Sequence, residues 1–200
     1  MSSSSTEDLY SQALTCINNN NYSEAEIILD RILQRVEEEF GPDHADTAQC
    51  LMMFGMVLQK GGKLAEAETK LRRCLEIRRE LFGEDSSVFG ITLNVLASVV
   101  TAQGGDKLPE AARLCEECVD HAERILGHVH ANTANAYLQL GYTQVQAGKF
   151  GEAEEALREC VEIRTRVFGR NHPETIKALG MYVEVLRKLS RFEEAHELEK

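Results

Sequence analysis

The sequence predicts an all-α protein, a solenoid of antiparallel helix pairs, and three observations carry that expectation. A short motif recurs along the chain: Tyr22-Ser23-Glu24-Ala25-Glu26 returns as Leu64-Ala65-Glu66-Ala67-Glu68, Leu108-Pro109-Glu110-Ala111-Ala112, Phe150-Gly151-Glu152-Ala153-Glu154 and Phe192-Glu193-Glu194-Ala195-His196. The alanines of that motif are 42, 44, 42 and 42 residues apart, a period in the range of stacked supersecondary units. A second anchor, Phe40-Gly41, Phe82-Gly83, Leu126-Gly127 and Phe168-Gly169, independently gives 42, 44 and 42. Within a unit, apolar residues such as Leu64, Ala67, Leu71, Cys74, Leu75 and Leu81 recur at threes and fours. That spacing makes one face of a helix and excludes a strand.

Each unit therefore reads as two helices. The first helices are expected near 7–18, 44–60, 86–103, 130–147 and 172–189, and the second near 23–40, 64–82, 108–126, 150–168 and 192–200. Asn18 to Asn21, Gly61-Gly62, Gly104-Gly105, Gly148 and Ser190 mark the turn inside each pair, because these residues tolerate the left-handed backbone that ends a helix. The Phe-Gly or Leu-Gly pair marks the exit from each second helix, followed by Asp43, Asp85 or Asn171 in cap-like positions. In His172-Pro173-Glu174-Thr175, proline sits at a helix start, where its missing N–H costs nothing. The two extra residues of the long unit are expected in the loop around Gly104-Gly105-Asp106-Lys107. One helix pair cannot bury its own apolar stripe, so the pairs must stack. The expected organisation is a disordered 1–5 followed by one array over 6–200, with units near 6–41, 42–83, 84–127, 128–169 and an incomplete 170–200.

Leu140-Gly141 with Phe150 and Ala153-x-x-x-Leu157 resembles the tetratricopeptide pattern. The 42-residue period, with its Gly-x-x-His-Pro-x-Thr opening and its Glu-Ala-Glu…Leu-Glu-Ile-Arg second helix, is similar to the kinesin light chain type of that repeat. Glu66-Ala67-Glu68…Leu75-Glu76-Ile77-Arg78 and Glu152-Ala153-Glu154…Val161-Glu162-Ile163-Arg164 carry the likeness best. It implies a right-handed superhelical solenoid of about four and a half to five tetratricopeptide repeats. It also implies that first helices line a concave inner surface while second helices face outward.

Charge follows that division. The segments 86–103 and 130–147 contain no Asp, Glu, Lys or Arg. The second helices carry Arg72, Arg73, Arg78, Arg79, Glu116, Glu117, Glu154, Glu155, Arg158 and Arg164, which are expected to be solvated. By the family's geometry the concave wall would be lined by Met52, Met56 and Gln59, then Asn94, Ser98 and Thr101, then Leu138, Tyr142 and Val145. Such a wall suits an extended peptide or an amphipathic helix, since methionine and tyrosine adapt to varied apolar contacts. Packing between repeats is the competing role for each of these residues. Asparagines on first helices of kinesin light chain-like proteins commonly clamp a bound peptide backbone; Asn94 matches that position, while Met52, Leu138 and Gly180 occupy the others. Lys177, Arg187 and Lys188 read as a solvated helix end.

The formal charge of −11 repels polyanions, so nucleic acid is not an expected partner. The uncharged runs 86–103 and 130–147 are too rich in Ser, Thr, Asn and Gln to enter a membrane. Met1 to Thr6 has neither the basic nor the apolar part of a secretory signal. With six cysteines and no such signal, reduced thiols and a cytoplasmic location are expected. Cys115-x-x-Cys118 lacks a second half-site, and Cys74, Cys118 and Cys160 share one repeat position, so packing explains them better than metal or redox chemistry. His44, His130 and His172 also share a position and are expected to pack or cap; His128-x-His130 has no evident partner ligands. Glu37-Glu38-Glu39 reads as an outer, solvated run. No phosphate loop or nucleophile elbow appears. The expectation is a non-enzymatic scaffold or adaptor without cofactor or metal, binding a protein or peptide. The alternative is a structural segment of a larger protein that self-associates through an uncapped C-terminal repeat.

Overall fold

The computed structural model describes residues 5–199. Among the described residues ten helices follow one another: α1 Thr6–Asn18, α2 Tyr22–Phe40, α3 Ala45–Lys60, α4 Leu64–Phe82, α5 Ser87–Gln103, α6 Leu108–Leu126, α7 Ala131–Gln146, α8 Phe150–Phe168, α9 Pro173–Lys188 and α10 Phe192–Leu198. Among the described residues there is no strand. The periodicity placed nine of these helices to within about a residue; α10, expected over 192–200, ends at Leu198, and the hairpin turns fall where expected. Asn20, Gly62, Gly148 and Ser190 have positive φ there. The two extra residues of the long unit lie in a single 3-10 turn, Gly105–Lys107, directly before α6. Ser5 departs from the expected disordered 1–5. It is the N-cap of α1 and forms a reciprocal capping box with Asp8, so the backbone is fixed from this residue on. The rest of that expectation lies outside the described residues.

The chain forms two compact units, the first ending at Ala102 and the second beginning at Gln103. In the first, consecutive helices from α1 to α4 pack on one another, and α5 joins through side chains of α4. In the second, α6 to α10 pack in the same consecutive order. Each unit contains one unusually close helix pair. A Cβ at Gly55 would stand 2.6 Å from Leu71 Cγ, and one at Gly141 would stand 2.7 Å from Leu157 Cγ. Glycine on the first helix thus makes room for a fully buried leucine on the second.

The loop histidines cap first helices. Nδ1 of His44, His130 and His172 accepts from the backbone N–H of Asp46, Asn132 and Glu174 at 3.1–3.2 Å. His44 stacks on Phe40 and His172 on Phe168, which gives the Phe-Gly exit a second use. Thr47, Thr133 and Thr175 donate to the carbonyls of Gly41, Gly127 and Gly169 at 2.7–2.9 Å. The start of each of these helices is thereby tied to the end of the preceding one. Ser86 serves the α5 start, donating to Gly83 O and accepting from Phe89 N–H. Cys50, Cys74, Cys115, Cys118 and Cys160 are all buried free thiols, in keeping with packing.

Candidate functional site

In the first unit, Met56 on α3 is 41% exposed, and Asn94 on α5 is exposed. Gln59 and Ser98 are brought together across α3 and α5, with Gln59 Nε2 donating to Ser98 Oγ at 3.1 Å. Met52 and Thr101 are buried instead. The Thr101 hydroxyl is turned back onto its own helix, donating to Ala97 O. In the second unit, Tyr142 on α7 is 43% exposed. Leu138 and Val145 are partly buried against the core that includes Tyr182, Val183 and Leu186. Exposed in the first unit are therefore Met56 and Asn94, with Gln59 and Ser98 half-buried; in the second unit Tyr142 is exposed, with Leu138 and Val145 half-buried.

Two residues depart sharply from their sequence reading. Arg78 and Arg164, expected on a solvated outer face, are 6% and 2% exposed. Arg78 Nη1 donates to Val88 O at 3.1 Å and to Thr92 Oγ1 at 2.7 Å, while its Nη2 donates to Gln49 Oε1 at 2.9 Å. Arg164 repeats the arrangement 86 residues on: Nη1 donates to Glu174 O and Nη2 to Asn135 Oδ1 at 2.9 Å. Each arginine thus links three successive helices within its unit, α3, α4 and α5 or α7, α8 and α9. The planar fork of guanidinium donors suits such a task, which a lysine could not perform. Arg164 also meets the Glu174 carboxylate at 3.2 Å; Arg78 has Val88 in the matching place and no ion-pair partner among the described residues.

The neighbouring thiols register both charges. Burial raises the Cys74 thiol above its ordinary range, with Arg78 opposing. Burial likewise pushes Cys160 up to about 11 against the pull of Arg164. Sequence reasoning missed this pairing, yet a signal existed. Arginine at 78 and 164 goes with a carboxamide at 49 and 135, whereas the same two positions in other repeats hold Val36 with Glu7 and Ala122 with Ile91. Among the described residues no group of His, Cys, Asp or Glu is arranged to hold a metal ion, and no helix is long and apolar enough to cross a membrane.

Helix pairs with glycine-leucine contacts, capped first helices and a fixed period define a helix-pair repeat protein. The tetratricopeptide repeat profile matches residues 6–80, 88–166 and 146–200, and the chain belongs to the tetratricopeptide repeat family. Its repeats fold in the kinesin light chain-like manner. Kinesin light chain-type, nearly identical TPR-like repeats from Podosopora anserina share the fold at a TM-score of 0.84 and 18% identity, over 96% of this chain and 90% of that one. BtubC (BKLC) from P. vanneervenii gives 0.82 and 18%, over 96% and 76%. A Rap protein complexed with competence and sporulation factor gives 0.68 and 14%, over 96% and 51%. No curated protein matches the sequence.

Proposed function

We propose that this chain is a non-enzymatic interaction scaffold that holds a peptide or helix of a partner protein against its first helices. One observation carries the reading: α5 and α7 contain no Asp, Glu, Lys or Arg, yet with α3 they expose Asn94, Tyr142 and Met56. Helices that need no charge to stay in water, with an exposed tyrosine on α7 in the second unit and an exposed methionine on α3 in the first, suit an apolar or amphipathic ligand. The complex of a structurally similar Rap protein with competence and sporulation factor supports a binding role for such a fold. Cytoplasmic residence is part of the same reading, since five of the thiols are buried without a disulfide.

Peptides recovered by the full chain from a displayed library of random dodecapeptides provide the test. Met56→Glu or Tyr142→Glu should weaken them by about tenfold or more. Unchanged affinity in both variants, with helical circular dichroism retained, would sink the reading.

A second reading, self-association through the last helix pair, is favoured by an open cleft of about 500 Å³ lined by Ile176, Leu179, Val183 and Leu198 between Arg170 and Arg187. Light scattering should then show a dimer that Ile176→Asp dissociates; a strict monomer excludes it.

A further inference from the structure

The geometry points to an anion-accepting subsite at Gln49, where an acidic side chain of the bound partner segment supplies the counter-charge that Arg78 lacks. This inference rests on the proposal that the first helices bind a partner, and it adds a chemical class to that partner. The buried Arg78 guanidinium bonds three neutral acceptors: Val88 O, Thr92 Oγ1 and Gln49 Oε1. Hydrogen bonds of that kind leave the positive charge unbalanced, and a buried unbalanced charge is costly. The acid one turn earlier on α3, Asp46, lies against His44 Nδ1 at 3.3 Å. Arg79, next to Arg78 in sequence, is already paired with Glu76 and Glu84.

Gln49 converts the buried charge into a surface property. Its side chain is exposed, and its oxygen is taken by Arg78. With the oxygen turned inward, the two amide hydrogens are held outward and have no partner among the described residues. A carboxylate placed there would accept those N–H groups and sit above the guanidinium, in a setting where interactions are screened less than in bulk water. The cation comes from a second helix lying beneath the wall, so the charge-free sequence of α5 does not reveal it. The second unit supplies the internal control. Asn135 is oriented by Arg164 in the same manner, but Glu174 already provides that arginine with a carboxylate at 3.2 Å. An acidic residue should therefore be read in the first unit and not in the second.

The test uses the same library-derived peptides and the full chain. Gln49→Glu gives Arg78 a carboxylate of its own while preserving the side-chain length. Affinity for acidic peptides should fall about tenfold or more, while the thermal midpoint does not drop. Replacing the peptide's Asp or Glu by Asn or Gln should weaken binding to the wild type but leave binding to the Gln49→Glu variant almost unchanged. Asn135→Asp, which adds the same charge in the other unit, should change affinity by less than about threefold. Three results overturn the subsite: indifference of the wild type to the peptide's acidic residue, unaltered binding to Gln49→Glu, or equal losses from Gln49→Glu and Asn135→Asp. If Tyr142→Glu abolishes binding while Gln49→Glu does not, the scaffold reading stands and the subsite falls. A library that yields no binder removes both.

Discussion

The two units place an arginine in the same slot of the repeat and finish the job differently. Arg164 has a carboxylate beside it on α9, whereas Arg78 has only neutral oxygens around it. Both guanidiniums bond a carboxamide at one repeat position and a carbonyl at the start of the next helix; Arg78 adds Thr92 Oγ1, where the second unit has Ala178, and Arg164 adds a carboxylate. One unit contains its own counter-ion and the other leaves that role open. A buried arginine can thus fasten three helices without the charge being settled by the fold itself.

What the units share should respond alike, and this gives the largest effects. Leu71→Ala and Leu157→Ala each remove a fully buried side chain that fills the space over a glycine. Each should cost about 2–5 kcal/mol in denaturant unfolding. A large inequality between the two would mean that the glycine-leucine contact is not equivalent in the two units. The arginines should separate the units. Arg164→Met deletes a charge-assisted set that includes Glu174 and should cost about 2–3 kcal/mol. Arg78→Met removes an unbalanced buried charge and leaves the Thr92 hydroxyl still bonded to Val88 O, so about 1 kcal/mol or less is expected. Equal costs would erase the distinction on which the comparison stands.

The smallest effect concerns pH and belongs to the second unit alone. Glu123 accepts from Tyr137 Oη at 2.8 Å and lies 2.7 Å from His128 Nδ1, and these two contacts hold its carboxyl below the ordinary value of 4.5. In the first unit the matching position is Arg79. A carboxyl whose folded pKa is depressed adds stability that is present above the unfolded pKa and is lost as pH falls through the folded one. The advantage of wild type over Glu123→Gln, followed by thermal unfolding from about pH 6 down to about pH 3, should shrink with acidification. An advantage that does not change over that range would contradict the assignment.

Most of the fold was legible because a repeat writes the same physical demand several times. The Phe-Gly exit, the hairpin turn and the Glu-Ala motif bound each helix from both sides, and capping residues left little freedom at the ends. The exposed positions on the first helices were less legible. Met52 and Thr101 occupy the same repeat register as exposed or half-buried residues elsewhere, and which of them sinks depends on the neighbouring helix, not on its own spacing. Arg78 and Arg164 were read as solvated because charge on a second helix usually is. Their burial depends on Gln49 and Asn135, some thirty residues earlier in the chain, and helical periodicity does not report on such a separation. Ser5 falls within the expected disordered 1–5 because serine-rich ends usually lack order, although Asp8 three residues later completes its cap.

The ties from Thr47, Thr133 and Thr175 to glycine carbonyls six residues back have an evolutionary corollary. Where a helix start is latched to the preceding helix end, spare chain length has nowhere to go except into the hairpin turns. Those turns become the tolerant sites of the architecture, and Gly105–Lys107 is an instance in which an insertion was taken up as a tight coil. Extra loops, tags or whole domains grafted at the hairpin turns should be accommodated more readily than the same lengths placed after the Phe-Gly exits.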